Sequence, residues 1–171
     1  FNRLLDFSRR LGSLDSQNIL KALLESAMNL VPGFQAGWVA VWEEDKRLLR
    51  TQTAIGYPQP AYLQGLCYSA ERSPAALPLH LVTDGLPRRL AELDFARSYP
   101  LPADDLLNYR RATNGRLPVA SLLIPIRLGW RVLGVLTLDN FEVAGAFTAV
   151  DEKLTLSLAQ QAALALENSR L

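Results

Sequence analysis

The chain has 171 residues, enough for one domain with its own core, and 49% apolar against 20% charged residues reads as globular rather than disordered. A net charge of +1 leaves no electrostatic footprint for nucleic acid or an anionic membrane surface. One cysteine and one histidine exclude an internal disulfide, an all-cysteine zinc site and most metal or triad chemistry. No apolar run reaches the ~18 residues that span a bilayer. The charged, amphipathic start carries no secretory leader, so the cytoplasm is the default location. Starting at Phe1 rather than Met, the chain reads as a piece trimmed from something longer.

Leu4, Leu5, Leu11 and Leu14 predict a first amphipathic helix, with a break at Gly12-Ser13 and a new helix start at Asp15-Ser16. Ile19, Leu20, Leu23, Leu24, Ala27, Met28 and Val31 then recur at helical spacing until Pro32-Gly33 stops them. Ala36 to Trp42 is a continuously apolar run, the pattern of a strand covered on both faces. Leu48 to Ile55 is its hairpin partner. Residues 57–78 read as loop, Leu79 to Thr83 as a short strand stopped by Asp84-Gly85, and 87–97 and 103–113 as short helices. Val119 to Leu128 and Trp130 to Asp139 form a second hairpin around Gly129. Thr148 with Asp151 is a variant capping box opening a last helix. That helix has no stop signal and reads as cut at Asn168-Ser169-Arg170-Leu171. Strands joined by short turns pair antiparallel, with the terminal helices on one face and residues 57–118 covering the other.

The stretch LLIPIRLGWRVLGVLTLDN (122–140), then Phe147, Asp151 and LSLAQQAALALENSRL (156–171), resembles the second half of a GAF domain. Residues 76–84 are similar to that family's middle strand, where a Pro leads an apolar run into Asp. The resemblance implies an α+β fold: a six-stranded antiparallel sheet, related in layout to PAS domains, with terminal helices on one face and a ligand-binding cap on the other. It divides the chain into a linker helix (1–14) and a single GAF core (15–171) with the cap at 57–118. It also implies a parent signalling protein such as a sensor histidine kinase or a diguanylate cyclase, with any catalysis in another domain.

Candidate ligand-binding residues follow from that layout. Trp38 reads as core or pocket wall, and Ser121 and Thr137 are small polar residues inside apolar strands, positions that face a cavity or bond back to the chain. Tyr99 and Tyr109 in the cap line a pocket or pack it, and His80 alternates with leucines in the expected strand. Arg110, with Arg111 and the pair Arg88-Arg89, carries the guanidinium fork that suits carboxylates and phosphates; solvated surface charge is the alternative. Asn140, Phe147, Asp151 and Glu152 resemble parts of the motif in cyclic-nucleotide-binding GAF domains. Position 141, however, is Phe rather than a basic residue, and acidic groups in a first helical turn have a structural use of their own. Asp104-Asp105 reads as another helix start.

Cys67 is the one candidate for bilin attachment, but Tyr68 follows it where bilin-binding relatives carry His. A GAF-type methionine sulfoxide reductase needs one thiol to attack and another to resolve, a cycle that Cys67 alone cannot close. No catalytic residue, metal or cofactor is therefore expected. The expected function is a sensory domain that binds an unidentified small molecule and forms a homodimer through its terminal helices, without contact to nucleic acid or membrane. A dimerisation or spacer module that binds nothing and a cyclic-nucleotide sensor are the alternatives.

Overall fold

The computed structural model describes residues 2–12 and 14–169. Ser13 of the expected break and Arg170-Leu171 of the expected helix run-on lie outside them. Two helices open the chain, α1 (Asn2–Leu11) and α2 (Ser16–Leu30). The Asp15 side chain caps α2 by accepting from the Asn18 amide at 2.9 Å. The strands β1 (Ala36–Glu43) and β2 (Leu48–Ile55) follow as the expected hairpin. The closing hairpin of β5 (Ala120–Leu128) and β6 (Arg131–Asn140) leads into α6 (Ala149–Ser169). The capping box at the head of α6 is reciprocal. The Thr148 amide donates to Asp151 Oδ2 at 2.9 Å, and the Asp151 amide donates to Thr148 Oγ1 at 3.1 Å.

The middle of the chain departs from the sequence reading. Leu77–Asp84 is a helix, α3, not a strand. Pro78 sits in its first turn, where a missing amide donor costs nothing, and Gly85 closes it in the left-handed region at φ 66°. The same Pro and Asp-Gly that bracketed a strand on paper are thus helix punctuation. The middle strand is instead β4 (Arg88–Leu90), inside the segment expected as a helix, which retains only α4 (Phe95–Ser98). The 57–78 loop holds a short 3-10 turn (Pro60–Leu63) and an edge strand, β3 (Cys67–Ser69). The expected 103–113 helix is present as α5 (Ala103–Ala112), with Asp104 and Asp105 in its first turn.

The sheet is six-stranded and antiparallel in the order β3-β2-β1-β6-β5-β4. Side-chain alternation divides two cores between its faces. On one face, Val39, Leu122, Ile124, Leu136 and Leu138 pack against Leu23, Leu24, Leu158 and Ala162 of α2 and α6. Phe7 and Leu11 of α1 are buried in the same core, so the first helix is packed into the domain rather than hung from it. On the other face, Trp38, Leu49, Leu123 and Val135 meet Leu79, Leu81, Phe95, Tyr99 and Tyr109 of the cap.

Gly134 shows how tightly the centre is built. Register shifts beside it, leaving Leu133 as an extra residue in β6, and a Cβ added at Gly134 would land on the carbonyl oxygen of Ala40. At Gly65 nothing lies within 4 Å of an added Cβ, though φ is 80°. Gly134→Ala is expected to cost about 3 kcal/mol by overpacking, whereas Gly65→Ala costs about 1 kcal/mol for the left-handed backbone alone. Urea unfolding of the two variants checks this; equal losses would mean the β1–β6 contact is not close.

Candidate functional site

The most unusual chemistry of the molecule lies in the seam between sheet and cap, and β6 puts it there. Leu136 and Leu138 point to the helices, so Thr137 and Asp139 must point to the cap. Trp38 pairs with Thr137, and Ala36 on one side and Ser121 on the other pair with Asp139. Thr137, Ser121 and Asp139 are at most 1% exposed.

Asp139 has no counter-ion among the described residues. Ser121 Oγ donates to its Oδ1 at 2.6 Å and Tyr57 Oη to its Oδ2 at 2.8 Å. Burial pushes its carboxyl up to about 6, against the downward pull of Ser121, Tyr57 and Tyr109. The Tyr109 hydroxyl helps hold this charge yet makes no hydrogen bond of ordinary geometry. Tyr99 Oη and Thr137 Oγ1 are likewise buried without a hydrogen bond of ordinary geometry, although the Ser121 and Thr137 hydroxyls lie close enough to Tyr99 to pull its phenol downward. Buried unpaired polar atoms are uncommon enough to need a cause. Tyr57, Tyr68, Tyr99 and Tyr109 are all pushed well above the ordinary tyrosine range, by burial first and then by the negative Asp139.

Around this centre the aromatic rings run in contact. Trp38 stacks on Tyr68 at 5.8 Å and meets Tyr99 edge-on at 6.4 Å. Phe95 joins Tyr99 at 5.3 Å to Tyr109 at 4.6 Å, and Tyr57 lies 6.4 Å from Tyr109. The seam is closed. Two open grooves, of about 690 and 480 Å³, are lined by none of these rings and not by Asp139.

Of the residues singled out from sequence, Trp38, Tyr99, Tyr109, Ser121 and Thr137 converge on this seam. His80 and Arg110 do not. His80 lies on α3 rather than in a strand, on the helix face turned to solvent, and Arg110 lies on the exposed face of α5. Arg88 and Arg89 are taken up in ion pairs, Arg88 with Asp84 and Arg89 with Glu152 at 3.2 Å, and Arg111 lies over the Tyr62 ring. Sequence reasoning passed over Asp139, Tyr57, Tyr68 and Phe95. The Asp139 signal was present: at two residues from Thr137 in a strand, it shares that face.

Other candidates have structural employment. Asn140 donates to the Gly33 carbonyl at 2.9 Å and accepts from the Glu142 and Val143 amides at 2.9 and 2.8 Å. Phe147 is buried in the helix-side core, and Asp151 belongs to the capping box. These residues lie away from the cap face. Cys67 Sγ donates to the Gly65 carbonyl at 3.2 Å, and burial raises its thiol against the opposing pull of Arg50. A raised thiol is a poor nucleophile at neutral pH.

The sign of the Asp139 effect is opposite to that of a salt-bridged carboxylate. Its folded value lies above the unfolded 3.8, so the native state binds the extra proton. Its destabilising cost is absent below about pH 4 and complete above about pH 7, and amounts to about 3 kcal/mol. The stability of wild type relative to Asp139→Asn is expected to fall by this order between pH 4.5 and 7.5. Denaturant unfolding of both proteins across that range checks it, and parallel curves would contradict a carboxylate held at about 6.

A GAF domain family model matches residues 13–167. No curated protein matches the chain in sequence at a significant level. Among solved structures, the chain is similar to the GAF domain of a phosphoenolpyruvate-protein phosphotransferase from Coxiella burnetii, with a TM-score of 0.75 at 16% identity over 98% of this chain and 94% of that one. It is also similar to the GAF-B domain of DevS from Mycobacterium smegmatis, with a TM-score of 0.64 at 22% identity over 90% and 93%. A free methionine-R-sulfoxide reductase from Neisseria meningitidis shares the fold at a TM-score of 0.67, with 16% identity over 98% and 87%. At these identities the likeness is one of fold.

Proposed function

We propose that this chain, which belongs to the GAF domain family, is a sensory module in which a small molecule binds between sheet and cap and biases the position of the terminal helices. The observation that carries this reading is the polar centre of the seam. A core kept only for stability gains nothing from a buried carboxylate without a counter-ion and three buried hydroxyls without a hydrogen bond of ordinary geometry, because apolar side chains of the same shape would hold the layers better. A ligand that pairs with these groups prefers the cap state that receives it, and this differential affinity is what shifts a two-state module. Since the seam is closed, ligand entry requires the cap to lift. Among the described residues no helix is long and apolar enough to cross a membrane.

Catalysis is not part of the proposal. The free reductase with this fold shows that the scaffold tolerates an enzyme, but here the lone thiol is raised and tied to a carbonyl. Output through a dimer is supported by the exposed Leu5 of α1, Met28 of α2 and Leu164 of α6, each more than 40% accessible on the helix layer. A second reading, a spacer that binds nothing, is favoured by the unbroken ring contacts of the seam.

Thermal unfolding of the ligand-free protein across a panel of metabolites separates the two. On the sensory reading at least one compound raises Tm by several degrees, and the rise disappears in the Ser121→Val/Thr137→Leu double variant, which fills the seam. If no compound acts and amide exchange in 57–118 is as slow as in β6, the spacer reading holds.

A further inference from the structure

Among the described residues every positive charge is exposed or only partly buried, and the buried charged side chains are Asp139 and Asp151. Asp151 is committed to the cap of α6 by its bonds to Thr148. Asp139 is therefore the one buried carboxylate whose charge meets only neutral hydroxyls. A ligand that brings a positive charge supplies what the seam lacks, and a second negative charge there would meet only repulsion.

The walls suit such a ligand. Trp38 and Tyr68 stand on the sheet, on β1 and β3, and Tyr99 follows α4 in the cap. The three rings are mutual neighbours at 5.8, 6.4 and 6.1 Å. Were the cap to lift, Tyr99 would part from the other two, and the space opened would be walled by rings from both layers. A cation within about 6 Å of a ring centroid is attracted by the negative face of the ring, and alkylated ammonium groups are the usual occupants of aromatic boxes. The hydroxyls of Tyr99, Tyr109 and Thr137, which make no hydrogen bond of ordinary geometry in the closed state, supply polar contacts for the remainder of the ligand.

We infer that the seam receives an organic ammonium ion, its charge against the Asp139 carboxylate and its alkyl groups against Trp38, Tyr68 and Tyr99. This rests on the sensory reading of the same seam and adds the chemical class of the ligand. It gives Asp139 the role of anchor and the arginines of the cap none. Protonation of Asp139 removes the anchor, so binding weakens as the pH falls below about 6.

Calorimetric titration of the ligand-free protein tests it with two cations, choline and n-butylammonium, each beside a neutral isostere, 3,3-dimethyl-1-butanol and 1-butanol. At pH 7.5 at least one cation is expected to bind tenfold or more tighter than its isostere, to weaken tenfold at pH 5, and to lose at least tenfold in Asp139→Asn. The comparison of isosteres uses the wild type alone and does not depend on the variant folding. Equal binding of cations and isosteres, or no binding of either cation at millimolar concentration, overturns the inference. Should a neutral or anionic metabolite then stabilise the protein through Ser121 and Thr137, the sensory reading survives without the ammonium. If no compound of any charge binds, both fall.

Discussion

A strand buried on both faces gives its side chains no solvent to turn to. Over most of their length the central strands β1, β6 and β5 are in that position, with helices on one side and cap on the other, and their buried residues must be accommodated by one of two interiors. For most of β6 the accommodation is simple, since valine and leucine suit either. Thr137 and Asp139 have no such freedom. They alternate with Leu136 and Leu138, so once those leucines fill the space under α2 and α6, a carboxylate is committed to the dry side of the cap. The remaining layers respond to that commitment. Ser121 meets Asp139 from the neighbouring strand, Tyr57 from the segment after β2, and the tyrosines of the cap gather over it.

The two interiors differ in kind. The helix side is mainly aliphatic, its leucines, isoleucines and alanines packed around α6 with Phe7, Phe34 and Phe147 among them. The cap side is aromatic, and its rings carry hydroxyls that water would otherwise satisfy. Burying a charge among such groups is tolerable because hydroxyl dipoles can turn toward it, but it remains costlier than an apolar filling of the same volume. One core is thus economical, and the other carries a cost that the hydrogen bonds to Asp139 only partly offset.

The legible part of the sequence was the part with a single physical explanation. Helix spacing in 19–31 and 148–166, the apolar run 36–42 and the paired runs around Gly129 each admit one structure, and the fold followed. Residues 77–90 were illegible for a reason of the same kind. Five apolar-rich residues between a proline and Asp-Gly suit a short strand or a short helix equally, and the choice was made by packing, with Pro78, Leu79 and Leu81 buried and His80 left outside. Of the site, the small polar residues inside strands stood out because they broke an apolar pattern. Asp139 closed its strand and so read as the polar end of an element, although its parity with Thr137 already fixed its face. Tyr57 and Tyr68 sat in a stretch read as loop, where nothing indicates which way a side chain turns.

One consequence of Asp139 concerns folding rather than recognition. A slip of one residue in β6 would carry its carboxylate into the aliphatic interior among Leu24, Leu158 and Ala162, and would bring Leu138 out among the hydroxyls. It would also take Gly134 from its place against the Ala40 carbonyl and press a side chain there instead. Two misfits, at positions 134 and 139 of one strand, would then arise together. The carboxylate that makes the seam expensive therefore also acts as the ratchet tooth that holds the central strand to a single alignment.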